Sequence, residues 1–183
     1  LNSRVRGMTV YRTVYYLPSL VPMVSLAILW LWIYNGEYGL MNAGLSFFGI
    51  EGPNWLGDPH WSKPALILTG LWGVGGSMVI YLAALQDVPV QLYEAAELDG
   101  ANLRQRIWHV TLPTISPVIF FNLVIGIIGV LQVFAVPYVM NGRGGAPAQS
   151  TLFYAMYLYN NAFVYLRMGY ASAMAWILFA LIL

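Results

Sequence analysis

Four hydrophobic stretches without charged residues dominate the chain. The first has 24 residues between Arg12 and Glu37, and a helix needs about 20 residues to cross the hydrocarbon core of a bilayer. The fold class predicted from this pattern is an all-α membrane protein, a polytopic helix bundle with about four spans. The predicted spans are residues 14–34, 64–86, 116–138 and 169–183, the last of them truncated.

The first stretch has prolines near its start and aromatic residues at its end. Pro18 and Pro22 fall in the first turns of the predicted helix, where proline disturbs the hydrogen-bond ladder least. Trp30, Trp32 and Tyr34 cluster at the other end, as aromatic side chains do at a membrane–water interface. We therefore expect one continuous helix with an interfacial aromatic belt.

The connecting segments are rich in residues typical of turns. Residues 35–63 mix Gly, Asn and Trp, which predicts turns and short interfacial helices rather than a folded domain. Residues 142–151, GRGGAPAQST, predict a loop. The aromatic stretch after it, with Asn160 and Asn161, predicts a helix that lies at the membrane surface or enters a cavity.

A polar island, YEAAELDGANLRQRIWHVTLPTISP, separates the second and third spans. Apolar positions recur at helical spacing over residues 91–112, so the island predicts an amphipathic element parallel to the membrane. Gly100 would weaken a continuous helix by about 1 kcal/mol relative to Ala, which favours a bend, with Asp99 or Asn102 capping the second helix. Pro113 predicts that the second helix stops before the third span.

Composition supports a membrane protein and excludes several kinds of site. Of the 183 residues, 60% are hydrophobic and 8% are charged, against about a quarter charged in soluble domains. The net charge of +1 argues against a nucleic-acid interface, which needs clustered Lys and Arg. Cysteine is absent, so disulfides and thiolate sites are excluded. His60 and His109 are far apart in sequence, and we expect no metal site.

The chain ends and the distribution of basic residues indicate a fragment and its sidedness. The sequence begins without methionine and stops inside a hydrophobic run, so we expect a single domain, residues 1–183, that is incomplete at both ends. Three arginines precede the first span and two lie in the island, against three basic residues in the loops 35–63 and 139–168. The positive-inside rule therefore places the island in the cytoplasm. The three arginines that precede the first span are Arg4, Arg6 and Arg12.

The island has two interpretations. An amphipathic connector would shield lipid headgroups. Its first half is acidic, however, with Glu94, Glu97 and Asp99, and an anionic inner leaflet would repel these carboxylates. Small residues beside them would let a rigid helix sit deeply in a groove of a protein partner.

One spaced motif in the island resembles a known family. The motif runs E-A-A, three residues, Gly, nine residues, an aliphatic residue, one residue and Leu-Pro, with Val110 where the family more often has Ile. It resembles the EAA loop of the permease subunits of bacterial ABC importers. The residues that match it are Glu94, Ala95, Ala96, Gly100, Val110, Leu112 and Pro113.

Further residues resemble the carbohydrate branch, similar to maltose-type and glycerol-phosphate-type permeases. The resemblance covers nearly the whole chain and departs at the loop 142–151, where Arg143 and Ala146 are inserted. By this resemblance one span and most of another precede Leu1, and Leu183 lies in the sixth. The matching groups are Arg6-Gly7, Leu17-Pro18, Gly39-Leu40-Met41-Asn42, Asn54-Trp55-Leu56, Val88-Pro89 and Gly169-Tyr170-Ala171-Ser172-Ala173.

The resemblance implies a translocation subunit of the bacterial inner membrane rather than an enzyme. The coupling loop, residues 91–113, would dock on a cytoplasmic ATP-binding subunit, which binds ATP and magnesium. This chain would not hydrolyse ATP itself, because its only lysine, Lys63, is not in a P-loop motif. The other implied partners are a second, non-identical permease subunit and a periplasmic or lipid-anchored solute-binding protein. The residues assigned to coupling are Glu94, Ala95, Ala96, Asp99, Gly100, Val110, Leu112 and Pro113.

Polar and aromatic residues near the third span are candidates for the substrate path, because polar groups at membrane depth are usually functional. Asn122 and Gln132 could bind the solute, although a hydrogen bond between helices is an equally simple role. Phe134 and Tyr138 could stack on a sugar ring or face lipid. Tyr159, Asn160 and Asn161 are candidates for the outer mouth.

Other functions remain as alternatives. An ABC importer permease could carry a non-sugar solute such as a polyamine. A secondary transporter would need ionisable residues inside its spans, and a membrane enzyme would need a catalytic cluster there. The predicted spans contain neither.

Overall fold

The computed structural model describes residues 7–183, and all regular elements among them are helical, which confirms the predicted fold class. Arg4 and Arg6 lie outside the described residues. Two π-helical turns, Ile107–Thr111 and Asn160–Val164, and a 3₁₀ turn, Leu17–Leu20, connect α-helices. The α-helices are α1 (Met8–Tyr16), α2 (Met23–Ile33), α3 (Leu40–Phe47), α4 (Pro59–Trp72), α5 (Gly75–Gln86), α6 (Val90–Leu98), α7 (Leu103–Arg106), α8 (Leu112–Leu131), α9 (Ala135–Asn141), α10 (Tyr154–Tyr159) and α11 (Met168–Ile182).

The first predicted span, residues 14–34, is not one helix. Its α-helix ends at Tyr16, and α2 begins only after Pro22, whose ψ of 139° is extended. Pro18 and Pro22 remove two backbone donors within five positions and disfavour helical geometry at the residues before them. The expectation that the first turns would absorb both prolines is therefore wrong.

Breaks also divide the second and third predicted spans. Residues 64–86 are interrupted between α4 and α5, and α8 is separated from α9 by residues 132–134. Counted across the break at residues 132–134, Leu103–Asn141 is a helical stretch of 39 residues that is long and apolar enough to cross a membrane. The number of such helices in the described part rises to three if each of two bent helix pairs forms one span, and Met168–Ile182 is a shorter apolar helix.

The chain divides into two compact units. The first comprises the residues up to Leu20 together with Gly73–Ile127, and the second comprises Val21–Trp72 with Ile128–Leu183. Within the first unit, α1 contacts α5 at Gly75. A Cβ atom at Gly75 would overlap the carbonyl oxygen of Tyr15, so only glycine permits this close approach.

The core of the second unit is aromatic. Tyr34 is 1% exposed, and its hydroxyl donates a hydrogen bond of 2.8 Å to the carbonyl of Ala65. Its ring lies 4.9 Å from Trp30 and 5.7 Å from Trp55, between centroids. The predicted aromatic belt is therefore wrong for Trp30 and Tyr34, which are buried, while Trp32 is exposed. Helical spacing places these two residues on the face that packs against α9.

Candidate functional site

The polar island folds as a helical hairpin, called the coupling hairpin below (residues 90–111), whose first arm is α6. The N–H of Gly100 donates to the carbonyl of Glu97 at 3.0 Å, and the N–H of Ala101 donates to the carbonyl of Ala96 at 2.9 Å. This pair of bonds is a helix C-terminal cap that requires a left-handed residue. Gly100 has a φ of 78°, which glycine adopts without a steric penalty. The predicted bend at Gly100 is present, as a hydrogen-bonded cap.

The second arm begins at Asn102. Its side-chain oxygen accepts the N–H of Gln105 at 3.0 Å, while the side-chain oxygen of Gln105 accepts the N–H of Asn102 at 2.8 Å. This reciprocal capping box satisfies two donors that a helix start leaves free. Of the two caps that the sequence allowed, Asn102 rather than Asp99 forms the bonds.

The second arm does not stop before Pro113, so the predicted end of the helix is wrong. The π-helical turn Ile107–Thr111 leads directly into α8, which contains Pro113. In this turn the N–H of Leu112 donates to the carbonyl of Ile107, five residues back. A π-helical turn is wider than an α-helical one, and such local adjustments re-pair the backbone groups that a proline frees. The second arm and α8 therefore form one continuous helix.

A groove of about 490 Å³ lies along the coupling hairpin, lined by both arms and the turn. Five of its lining residues are the predicted coupling residues Ala95, Ala96, Asp99, Gly100 and Val110. A Cβ atom at Gly100 would meet nothing within 4 Å, so the groove is open there. Small side chains and a single carboxylate make a surface that fits a protruding part of another protein.

The other predicted coupling residues lie outside the groove. Glu94 is exposed on α6, and Leu112 and Pro113 lie at the start of α8. Sequence reasoning gave no role to two further lining residues, Gln105 and His109. Their spacing of four residues, which places both on one helical face, was the signal that could have found them.

The three most exposed large apolar side chains of the coupling hairpin lie beside its turn and in its second arm. Leu98 beside the turn is 89% exposed, Leu103 on the other side of the turn 68%, and Trp108 69%. Burying each such side chain in a partner would contribute about 1.5–3 kcal/mol. The hairpin therefore presents apolar surface and carboxylates together, which suits a protein partner.

Two of the predicted substrate-path residues belong to an aromatic cluster in the second unit. Phe134 and Tyr138 stack with 5.0 Å between ring centroids. Tyr159 lies 5.0 Å from Phe134 and 5.7 Å from Tyr138, and Phe163 lies 5.1 Å from Tyr159. The structure thus brings together residues that are distant in sequence and offers ring faces suited to a sugar.

The amide candidates are placed differently. Asn160 and Asn161 are buried, and each donates a hydrogen bond of 2.8 Å, to the carbonyls of Arg143 and Tyr157 respectively. Asn122 donates to the carbonyl of Val118, 2.9 Å away on its own helix. Gln132 is exposed just beyond α8. Roles for these four side chains in binding a solute stay predictions.

No metal centre is visible among residues 7–183. Groups of three or more His, Asp or Glu side chains that could hold an ion do not occur in this part of the chain. His109 contacts the carbonyl of Gln105 through Nδ1 at 3.0 Å.

Comparison with known proteins identifies clear relatives. The family described as binding-protein-dependent transport system inner membrane component matches residues 1–183. The chain is 42% identical to the probable ABC transporter permease protein YesP of Bacillus subtilis over 184 residues, covering 100% of this chain and 59% of that protein. It is 39% identical to the sulfoquinovosyl glycerol transport system permease protein SmoG of Agrobacterium fabrum over 166 residues, covering 90% and 53%.

A solved structure is similar as well. A chain of the bacterial alginate ABC transporter, in complex with an alginate pentasaccharide-bound periplasmic protein, matches with a TM-score of 0.86 and 27% identity. The match covers 98% of this chain and 63% of that chain. The chain therefore spans less than two thirds of the length of the proteins that it matches.

Proposed function

Because the chain belongs to the family of binding-protein-dependent transport system inner membrane components, we propose that it forms much of the permease subunit of an ATP-driven ABC importer. The subunit crosses the bacterial inner membrane several times and moves a sugar or a related small solute. Relatives support the sugar, because SmoG and the alginate transporter are named for carbohydrate compounds. This support makes a polyamine or another non-sugar solute the less favoured alternative.

The coupling hairpin is the observation that carries this proposal. It combines a groove of small residues, exposed leucines and carboxylates in an element that continues directly into α8. A cytoplasmic ATPase subunit that grips such an element transmits its closure to the membrane helices as a rigid-body movement. ATP and magnesium bind to that subunit, and the permease itself performs no hydrolysis.

The family indicates the remaining partner proteins, and the aromatic cluster indicates the surface for the solute. A solute-binding protein delivers the solute, as the periplasmic protein bound to the alginate transporter suggests. A second permease subunit completes the path. Within this chain, the clustered rings of Phe134, Tyr138 and Tyr159 form the surface on which a sugar ring packs.

Co-purification of the full-length permease with its ATPase subunit tests the proposal. Glu94→Lys reverses a charge on the hairpin, and Ala95→Leu fills the groove, so each is expected to reduce the retained ATPase about tenfold. Gln91→Leu is the matched control for Ala95→Leu, because it adds the same side chain at an exposed position of the same helix that does not line the groove. Equal retention by the two test variants and the control would refute docking at this hairpin.

A further inference from the structure

Two polar contacts, called the clasp below, join α6 to the segment after the turn. The hydroxyls of Tyr93 and Thr111 lie 2.9 Å apart, and both residues are half-buried. One helical turn away, Nη1 of Arg106 lies 3.2 Å from Oε2 of Glu97. The clasp therefore connects the two arms of the coupling hairpin at two points, one helical turn apart.

The spacing of these residues gives a physical reason for the π-helical turn. Tyr93 and Glu97 are four residues apart, so they lie on one face of α6. Arg106 and Thr111 are five residues apart, which in an α-helix would place them about 140° apart around the axis. A π-helix joins residue i to residue i+5, so it brings Arg106 and Thr111 to the same side. The α-helical turn from Tyr93 to Glu97 in the first arm therefore faces the π-helical turn from Arg106 to Thr111 in the second arm.

The two contacts differ in strength. The side chains of Arg106 and Glu97 are 26% and 70% exposed, so water screens their attraction and the ion pair contributes little. Thr111 also donates to the carbonyl of Arg106 at 3.4 Å, which leaves its oxygen to accept the hydrogen bond from Tyr93. The half-buried pair of hydroxyls is the main connection.

We propose that Tyr93 and Thr111 are positioning residues that make α6 move as one body with α8. The inference rests on the proposed function, because the force that they transmit comes from the ATPase. Without the hydroxyl contact, the polar connections between the two arms that remain are the capped turn at Gly100 and an exposed ion pair. Helix α6 can then pivot at the turn and absorb the movement of the partner instead of passing it to α8.

Distances between spin labels in the assembled transporter test this directly. Nitroxides are attached through Gln91→Cys in α6 and Phe120→Cys in α8, two exposed positions of the same compact unit, in a cysteine-free background. The full-length permease is measured with its ATPase and second permease subunit, with and without ATP. An intact clasp gives a narrow distance distribution that ATP does not change.

Tyr93→Phe and Thr111→Val each remove one hydroxyl, and each is expected to broaden the distribution about twofold. Thr111→Ser keeps the hydroxyl and is expected to retain the narrow distribution. Distributions as narrow as the parent's in both hydroxyl-free variants, or a broad one in Thr111→Ser, would overturn the inference.

Retention of the ATPase is recorded on the same samples to separate the two proposals. The inference predicts that Tyr93→Phe and Thr111→Val still retain it within about twofold, because the groove residues are unchanged. An ATPase that is absent from the parent would refute the proposed function only, since the distances within the permease still report the clasp.

Discussion

The hydroxyl of Ser116 donates a hydrogen bond of 2.8 Å to the backbone carbonyl of Pro113. In an α-helix that carbonyl would accept the N–H of residue 117, which is a proline and has no N–H. Ser116 therefore supplies the partner that the backbone lacks, and α8 continues past Pro117.

Removing this hydroxyl should weaken α8. Ser116→Ala is expected to lower the free energy of unfolding of the full-length permease by about 1 kcal/mol, because a carbonyl loses its partner. Titration with SDS in mixed micelles measures the change. Thr114→Ala is the control: Thr114 bonds the carbonyl of Val110, and the residue four positions after Val110 is not a proline and carries an N–H, so the loss should be smaller. Equal losses would contradict this role for Ser116.

The left-handed backbone at Gly100 predicts a difference between glycines. Gly100→Ala should destabilise the permease by about 1–2 kcal/mol, because a Cβ disfavours positive φ. Gly126→Ala, at an open position inside α8, should instead stabilise it by about 0.5–1 kcal/mol. The same SDS titration measures both. Changes of the same sign would show that Gly100 does not need its left-handed conformation.

The contact between α1 and α5 predicts a contrast between adjacent glycines. Gly75→Ala should lower the thermal midpoint in detergent, because its Cβ would overlap the carbonyl of Tyr15 and force the helices apart at a cost of about 1–3 kcal/mol. Gly76→Ala adds the same methyl group where nothing lies within 4 Å, so the midpoint should not fall. Similar midpoints for the two variants would argue against the close approach.

The aromatic cluster predicts an effect on uptake. Tyr159 contacts Phe134, Tyr138 and Phe163, so Tyr159→Leu should reduce uptake about tenfold by removing the central ring. Radiolabelled maltose, lactose and alginate oligosaccharides are the probes, applied to vesicles that contain the full transporter. Tyr165→Leu, at an exposed ring outside the cluster, is the control. Uptake of every transported probe at the parental rate in Tyr159→Leu would exclude these rings from the path.

The sequence predicted features that depend on local chemistry. The bend at Gly100 was predictable, because left-handed backbone favours few residue types. Asn102 was one of two predicted caps, because the free N–H groups at a helix start also favour few residue types. The spaced EAA motif indicated the family, and the match over residues 1–183 confirms it.

Features that depend on packing could not be predicted in the same way. Trp30 and Tyr34 fit an interfacial belt by position, and only the arrangement of α2, α4 and α9 shows that they are buried. The π-helical turn escaped prediction because no residue type specifies it. It aligns Arg106 with Thr111, and this reason becomes visible only in the folded hairpin.

Site-specific photo-crosslinking measures the central claim most directly. A photoreactive amino acid is placed at Ala95 in the groove or at Phe47 in the loop 35–63, which the sequence assigns to the opposite side of the membrane. Irradiation of the assembled transporter should link the ATPase subunit to position 95 and not to position 47. Absence of the link at position 95, or an equal link at position 47, would contradict the account of the coupling hairpin.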